Sequence, residues 1–172
     1  MIKIFLANLG KYNEGEIVGE WVDLPVTDEE LEAVKERIGI NERCEETDIL
    51  DYESDCTELE VTRFDIETLN EFERLIEEYD ANAVSAGLYF LGQTASIGEI
   101  EREIQEMIYV PQDYGSEYES IGRYFAEELC CLDIPENLEN YIDFEAYGRD
   151  IAIQSKVFFP DNLSDDIIIS LY

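Results

Sequence analysis

The sequence lacks histidine and has only eleven basic residues, four of them lysines, among its 172 residues. Without histidine, a chain cannot form a Ser–His or Cys–His nucleophile pair or offer the commonest metal ligand. No G-x-S-x-G, P-loop or G-x-G-x-x-G pattern occurs. The acids Asp51, Glu53 and Asp55 are not followed by the glycine and bidentate glutamate of a calcium loop. We therefore predict a non-enzymatic protein with no cofactor and no specific metal site.

Long apolar runs are also missing. No stretch approaches the roughly 20 residues that a membrane helix needs, and the N-terminal MIKIFLANL has neither the length nor the cleavage site of a signal peptide. The four cysteines form no C-x-x-C pattern. We expect them to be reduced thiols and the chain to be cytoplasmic.

Acidic residues dominate what is present. The chain has 43 Asp and Glu and a formal net charge of −32, yet 45% of its residues are apolar and 12% are aromatic. Such an apolar content can supply a core, so we predict a folded protein and not a disordered acidic tail. The acids are spread along the whole chain. Residues 1–62, 63–107 and 108–172 carry net charges of −13, −8 and −11, respectively.

This charge restricts the possible partners. It should repel nucleic acid and anionic membranes and attract a basic protein surface. A charge of −32 equals that of roughly 16 base pairs of B-DNA, which carries about two charges per base pair. Halophilic adaptation or an ordinary acidic intracellular domain would also account for the charge. The excess of 29 Glu over 14 Asp, together with 20 Ile, argues against halophilic adaptation.

Apolar periodicity predicts an α+β fold of three small lobes in series. These are a β-rich N-terminal α+β lobe (1–62), a helical middle lobe (63–107) and a mixed C-terminal α+β lobe (108–172). The predicted strands cover residues 2–9, 16–24, 46–53, 57–62, 107–110, 152–159 and 166–171. The predicted helices begin after Thr27, Asp65, residue 81, Ser96, Ser116, Pro135 and residue 142, and the one after Ser116 reaches about Cys131.

Two of the predicted helices carry rows of like charge. Opposite its apolar stripe, the helix after Asp65 bears Glu67, Glu71 and Glu78, and the helix after Ser96 bears Glu99, Glu103 and Glu106. Like charges at i,i+4 destabilise a helix by about 0.2–0.5 kcal/mol per pair. A sequence selected for stability alone would alternate these acids with lysine, which indicates that the rows serve a partner.

Two segments resemble a known family. ANLGKYNEG with GEW (7–15 and 19–21), and GRYFAEE with NYIDFEAYGRD (122–128 and 140–150), are similar to the ArdA antirestriction proteins of mobile genetic elements. The resemblance implies an elongated homodimer that mimics B-form DNA and acts in a bacterial host. Its partner would be a type I restriction-modification enzyme, whose DNA-binding cleft, formed by the methyltransferase core, it would occupy. An acidic module for another basic DNA-binding protein, a histone-like or CRISPR component, is the alternative.

The matched segments supply further candidate target-binding acids. With the two helical rows, the full set of predicted DNA-mimicking residues is Glu14, Glu16, Glu20, Glu67, Glu71, Glu78, Glu99, Glu103, Glu106, Glu127, Glu128, Asp143 and Glu145. In the second segment we expect Tyr141, Phe144 and Tyr147 to pack inside the fold. Arg149 and Asp150 are a candidate structural pair.

Overall fold

The structure is a computed structural model that describes residues 1–41, 44–129, 133–135, 137–162 and 164–171. The chain divides into two compact units, Met1–Glu101 and Arg102–Tyr172. Each unit contains one three-stranded sheet with helices beside it, so the α+β prediction is confirmed. The division into three lobes stays a prediction.

The first unit is organised by an antiparallel sheet in the order β2-β1-β3. Its strands are β1 (Ile2–Asn8), β2 (Gly19–Asp23) and β3 (Thr47–Ser54). Because side chains alternate across a strand, one face of β1 presents Ile2, Ile4 and Leu6, which are at most 1% exposed. This face forms the core of the unit together with apolar residues of the helices.

The helices of the first unit are α1 (Leu9–Asn13), α2 (Asp28–Arg37), α3 (Ile66–Tyr79) and α4 (Ala81–Leu91), and α5 (Ile97–Glu106) follows them. Helix α2 begins at a capping box in which Thr27 and Glu30 bond each other's backbone amides, as its sequence predicts. Asp65 caps α3 through the amide of Thr68. The predicted strand over 57–62 is wrong, because that segment forms a turn and a short 3-10 helix (Val61–Arg63).

The second unit contains an antiparallel sheet in the order β4-β6-β5. Its elements are β4 (Ile108–Val110), α6 (Glu117–Arg123), a π-helical turn (Tyr124–Glu128), a 3-10 turn (Glu139–Tyr141), α7 (Phe144–Gln154), β5 (Lys156–Phe158) and β6 (Ile167–Ser170). The core combines Val110, Ile121, Phe125, Ile167 and Ile169. Ile121 comes from α6, and Tyr147 and Ile151 of α7 pack against this core, so both helices pack against the sheet.

Two sequence predictions fail in the second unit. Residues 152–154 are the last turn of α7 and not the start of a strand, and Ser155 closes the turn by donating its hydroxyl to the Ile151 carbonyl at 2.8 Å. Pro135 does not open a helix, since the helical turn there starts at Glu139. The predicted helix end near Cys131 lies outside the described residues.

Candidate anionic binding surface

The structure exposes most of the predicted target-binding acids. Two of the thirteen, Glu20 and Glu103, are half-buried, and Oε1 of Glu103 is inaccessible and has no hydrogen-bond partner among the described residues. The eleven exposed ones are Glu14, Glu16, Glu67, Glu71, Glu78, Glu99, Glu106, Glu127, Glu128, Asp143 and Glu145. Exposure makes these acids available, and their binding role stays a prediction.

Helix α3 carries the most regular row. Glu67, Glu71 and Glu78 are exposed on the side opposite the buried Leu69 and Phe72. Successive acids are about 6 Å and 10 Å apart along the axis, from a rise of about 1.5 Å per residue. None of the three carboxylates pairs with a basic side chain of the described chain. These three carboxylates therefore have no ion-pair partner in the described chain.

Arg74 stands within this row and is exposed. It follows Glu71 by three residues and precedes Glu78 by four, which places it on the same helical face. It forms no ion pair with any residue that the structure describes. Arg74 also borders a groove of about 470 Å³ between the start of α2 and α3, to which Asp28, Glu67 and Glu71 contribute carboxylates.

Near the N-terminal motif, by contrast, the acids are paired with bases. Lys11 Nζ lies 2.9 Å from Glu14 and 3.7 Å from Glu16. Glu20 accepts two hydrogen bonds from Arg37, at 2.7 and 2.8 Å, and these bonds lower the pKa of its carboxyl. Exposed pairs contribute only about 0.2–1 kcal/mol each to stability, but each places a cation beside the acid and offsets part of the negative charge there.

Other candidate acids are used to begin helices. Glu99 accepts hydrogen bonds from the amide and hydroxyl of Ser96, in the capping box predicted for α5. Asp143 accepts from the Ala146 amide at 2.9 Å and caps α7. Carboxylates at a helix N-terminus are favoured by its dipole, so these two acids have structural roles of their own.

In the second unit, carboxylates gather around one arginine. Arg123 lies 3.2 Å from Glu119, 3.1 Å from Glu127 and 3.5 Å from Glu139. Its guanidinium carbon is 4.7 Å from the centre of the Tyr114 ring and 4.4 Å from that of Phe144. The side chain is only 22% exposed. Arg123 therefore holds three acids of different segments at one place.

In the same unit, the backbones of α6 and α7 lie in close contact where the two helices cross. This crossing explains why the second motif contains glycine at positions 122 and 148. A β-carbon on Gly122 of α6 would lie 2.0 Å from the Phe144 carbonyl oxygen. One on Gly148 of α7 would lie 1.9 Å from the Tyr118 carbonyl oxygen. Real β-carbons do not approach other atoms this closely, so only glycine permits α6 and α7 to meet here.

The first motif also has a structural basis. Asn8 is fully buried, accepts from the Lys11 amide at 3.0 Å and donates to the Ile38 carbonyl at 3.1 Å. It thereby caps α1 and ties it to the end of α2. Gly10 packs against Cys44, where a β-carbon would lie 2.7 Å from the sulfur. Much of this motif therefore specifies the fold.

Two smaller predictions for the second motif need correction. Phe144 is buried and Tyr147 half-buried, as expected, but Tyr141 is 84% exposed because it lies in the short 3-10 turn before α7. Arg149 pairs with Glu145 at 3.0 Å and not with Asp150, since residues four apart on a helix are neighbours. Cys44 and Cys56 are free thiols, and Cys130 and Cys131 lie outside the described residues.

The sequence reasoning missed a group of acids on the first sheet. Strand register places one set of residues on the face opposite Ile2 and Ile4, here called the outer sheet face. Alternation of polar residues along 47–54 was the signal that could have revealed it. Its members are Lys3 and Phe5 on β1, Trp21 and Asp23 on β2, and Asp48, Asp51 and Glu53 on β3.

One acid of α3 is buried. Glu73 is 5% exposed, its Oε1 lies 3.5 Å from the Met1 amino group, and its Oε2 has no hydrogen-bond partner among the described residues. Burial raises the pKa of this carboxyl above 4.5, and Glu77 adds to the effect, while the Met1 ammonium and the Ile2 amide oppose it. Compared with the unfolded chain, the folded state therefore shifts the equilibrium of this carboxyl toward its protonated form.

This burial predicts a pH dependence of stability. Because the folded pKa is raised, the stabilisation is fully present below the unfolded pKa of about 4.5 and is lost as pH rises through the folded value. We expect Glu73→Gln to have a higher melting temperature than the parent protein at pH 7. As the pH falls from 7 to 5, the melting temperature of the variant should rise less than that of the parent. Thermal melts of both proteins across this range measure the effect, with Glu36→Gln, an exposed acid of α2, as the control. An unchanged pH slope in Glu73→Gln would refute the assignment.

Among the described residues, no cluster of three or more potential ligands could hold a metal ion. No helix in the described part of the chain has the length and apolarity to cross a bilayer. Exposed carboxylates lie on both α+β units, and such a surface is typical of a protein that binds other proteins through charge.

Sequence comparison agrees with this class. A family model described as antirestriction protein (ArdA) matches residues 4–163. The chain belongs to the ArdA antirestriction family, whose proteins inhibit restriction, so the resemblance seen in the two motifs is confirmed. No curated protein matches the chain.

Proposed function

We propose that this chain blocks type I restriction-modification enzymes by occupying their DNA-binding cleft as a mimic of B-form DNA. The observation that carries the proposal is the exposed row Glu67, Glu71 and Glu78 on one helix, whose carboxylates form no ion pair with any described residue. A helix holds carboxylates at fixed spacing, so a basic cleft meets a preformed array and not a mobile tail.

The distribution of bases supports the same function. Most basic residues of the described chain are held in local pairs, as Lys11, Lys35, Arg37, Arg123 and Arg149 show. Few cations therefore project freely from the surface. A surface of this kind should associate rapidly with a basic groove at low salt and more slowly as ionic strength rises.

A charge-matched comparison tests the proposal. The row variant is Glu67→Gln/Glu71→Gln/Glu78→Gln. The control neutralises three exposed loop acids, Asp113→Asn/Asp133→Asn/Asp161→Asn, and has the same net charge. With about 0.2–1 kcal/mol per exposed contact, we expect about ten-fold weaker inhibition of type I endonuclease cleavage for the row variant and less than about two-fold for the control.

A gain-of-function variant sharpens this test. Arg74→Gln removes the one cation inside the row, so it should strengthen inhibition about two-fold at low salt and lose that gain at high salt. Equal losses in the row variant and its control would mean that net charge alone is recognised. Undiminished cleavage in the presence of the parent protein would reject the proposed target.

The proposal also places the protein in the bacterial cytoplasm as a non-enzymatic homodimer that binds no nucleic acid. The support is the family resemblance together with the net charge of −32. If a pull-down from a bacterial lysate enriched a histone-like or CRISPR component in place of restriction or methyltransferase subunits, the alternative partner class would take precedence.

A further inference from the structure

The outer sheet face carries an exposed aromatic pair. Trp21 on β2 lies directly opposite Phe5 on β1, and their ring centres are 5.5 Å apart at an interplanar angle of 59°. Trp21 keeps 38% of its surface exposed. Tryptophan is enriched among the hot spots of protein–protein interfaces.

Carboxylates surround this pair. Asp23 follows Trp21 on the same face, about 7 Å along the strand, and Asp51 lies opposite Phe5 on the other side. Glu53 is exposed beside Asp51 on β3. Lys3 is the single base among the residues that define this face, and it lies 3.4 Å from Asp23. The face therefore combines the aromatic pair with three nearby carboxylates, here called the acidic rim.

These groups select one kind of partner side chain. A guanidinium is planar and weakly hydrated, so it can stack on an indole while its N–H groups donate to a nearby carboxylate. An ammonium is strongly hydrated and loses more when it leaves water. An uncharged apolar partner would leave the acidic rim without a counter-charge.

We propose that the outer sheet face receives an arginine side chain of the partner protein, which stacks on Trp21 and donates to Asp23. This inference rests on the proposed function, in which the partner presents a basic DNA-binding surface. It adds a specificity-determining residue that phosphate imitation alone would not require, because DNA phosphates offer no aromatic ring.

Trp21 makes the test direct, since it is the one tryptophan of the chain. Labelling with 5-fluorotryptophan gives a single ¹⁹F resonance, which can be followed during titration with a type I methyltransferase core, with tetra-arginine and with tetra-lysine peptides. We expect the resonance to shift on enzyme binding, and to shift further with tetra-arginine than with tetra-lysine at equal occupancy.

Two variants complete the experiment. Trp21→Leu keeps apolar bulk but no π face and should weaken inhibition of the enzyme about five-fold, whereas Trp21→Phe should lose about two-fold. A resonance that stays in place while the enzyme is bound would overturn the inference. If the enzyme does not bind at all, the proposed function fails, and the peptides then decide separately: equal shifts with arginine and lysine would overturn the arginine site.

Discussion

Gly148→Ala is expected to destabilise the second unit severely. The added β-carbon would lie 1.9 Å from the Tyr118 carbonyl oxygen, which belongs to the backbone of α6 and cannot rotate away. Helices α6 and α7 must therefore separate, and the apolar core residues that pack against them lose contact. Overpacking typically costs about 1–3 kcal/mol, and we expect a value near the upper end because the clash is with backbone atoms. Gly122→Ala, on the other side of the crossing, should act in the same way.

Urea unfolding and hydrogen exchange measure this effect. We expect faster exchange in the peptides covering α6 and α7. Gly98→Ala is the matched control, since a β-carbon there meets no atom within 4 Å and alanine favours a helix over glycine by up to about 1 kcal/mol. The helix crossing would not be a determinant of stability if Gly148→Ala unfolded at the same urea concentration as the parent.

Arg123→Met is the second substitution with a large expected effect. It removes the guanidinium that pairs with Glu119, Glu127 and Glu139, so the repulsion among these three carboxylates increases. It also removes the guanidinium from between the Tyr114 and Phe144 rings, contacts worth about 0.5–2 kcal/mol each. Since the side chain is largely buried, we expect a loss of about 2–3 kcal/mol.

The change should weaken inhibition although it makes the protein more acidic. A partner that recognises positioned carboxylates loses affinity when Glu119, Glu127 and Glu139 spread apart. Arg149→Met is the control, because Arg149 is 53% exposed and pairs only with Glu145 among the described acids; we expect less than about 1 kcal/mol there. Stronger inhibition by Arg123→Met would indicate that total charge outweighs geometry.

Local sequence signals succeeded where the relevant interactions are close in sequence. The capping boxes at Thr27 and Ser96 join residues three apart, so their patterns can be read directly. Prediction failed at 57–62 and 152–154, where short apolar alternation fits both a strand and a helical turn. At 57–62 a contact with a distant segment accompanies the observed turn, since the Thr57 amide donates to Ser85 at 3.0 Å.

The candidate binding acids show the same contrast between short-range and long-range interactions. Helical spacing alone placed Glu67, Glu71 and Glu78 on one face. It could not show that Glu20 is bound by Arg37, seventeen residues away, or that Glu73 is buried beside Met1. The aromatic and acidic outer sheet face was likewise invisible, because its members come from three strands whose register is set by pairing.

Taken alone, the amino-acid sequence determined the family, the α+β class, the net charge and the helical rows of acid, since these follow from composition, motif and short-range periodicity. Tertiary structure decided which carboxylates are left without a counter-charge, why the motif glycines are required, and which residues share a surface. Those properties depend on close backbone approaches and on pairings between distant segments, which no local pattern encodes.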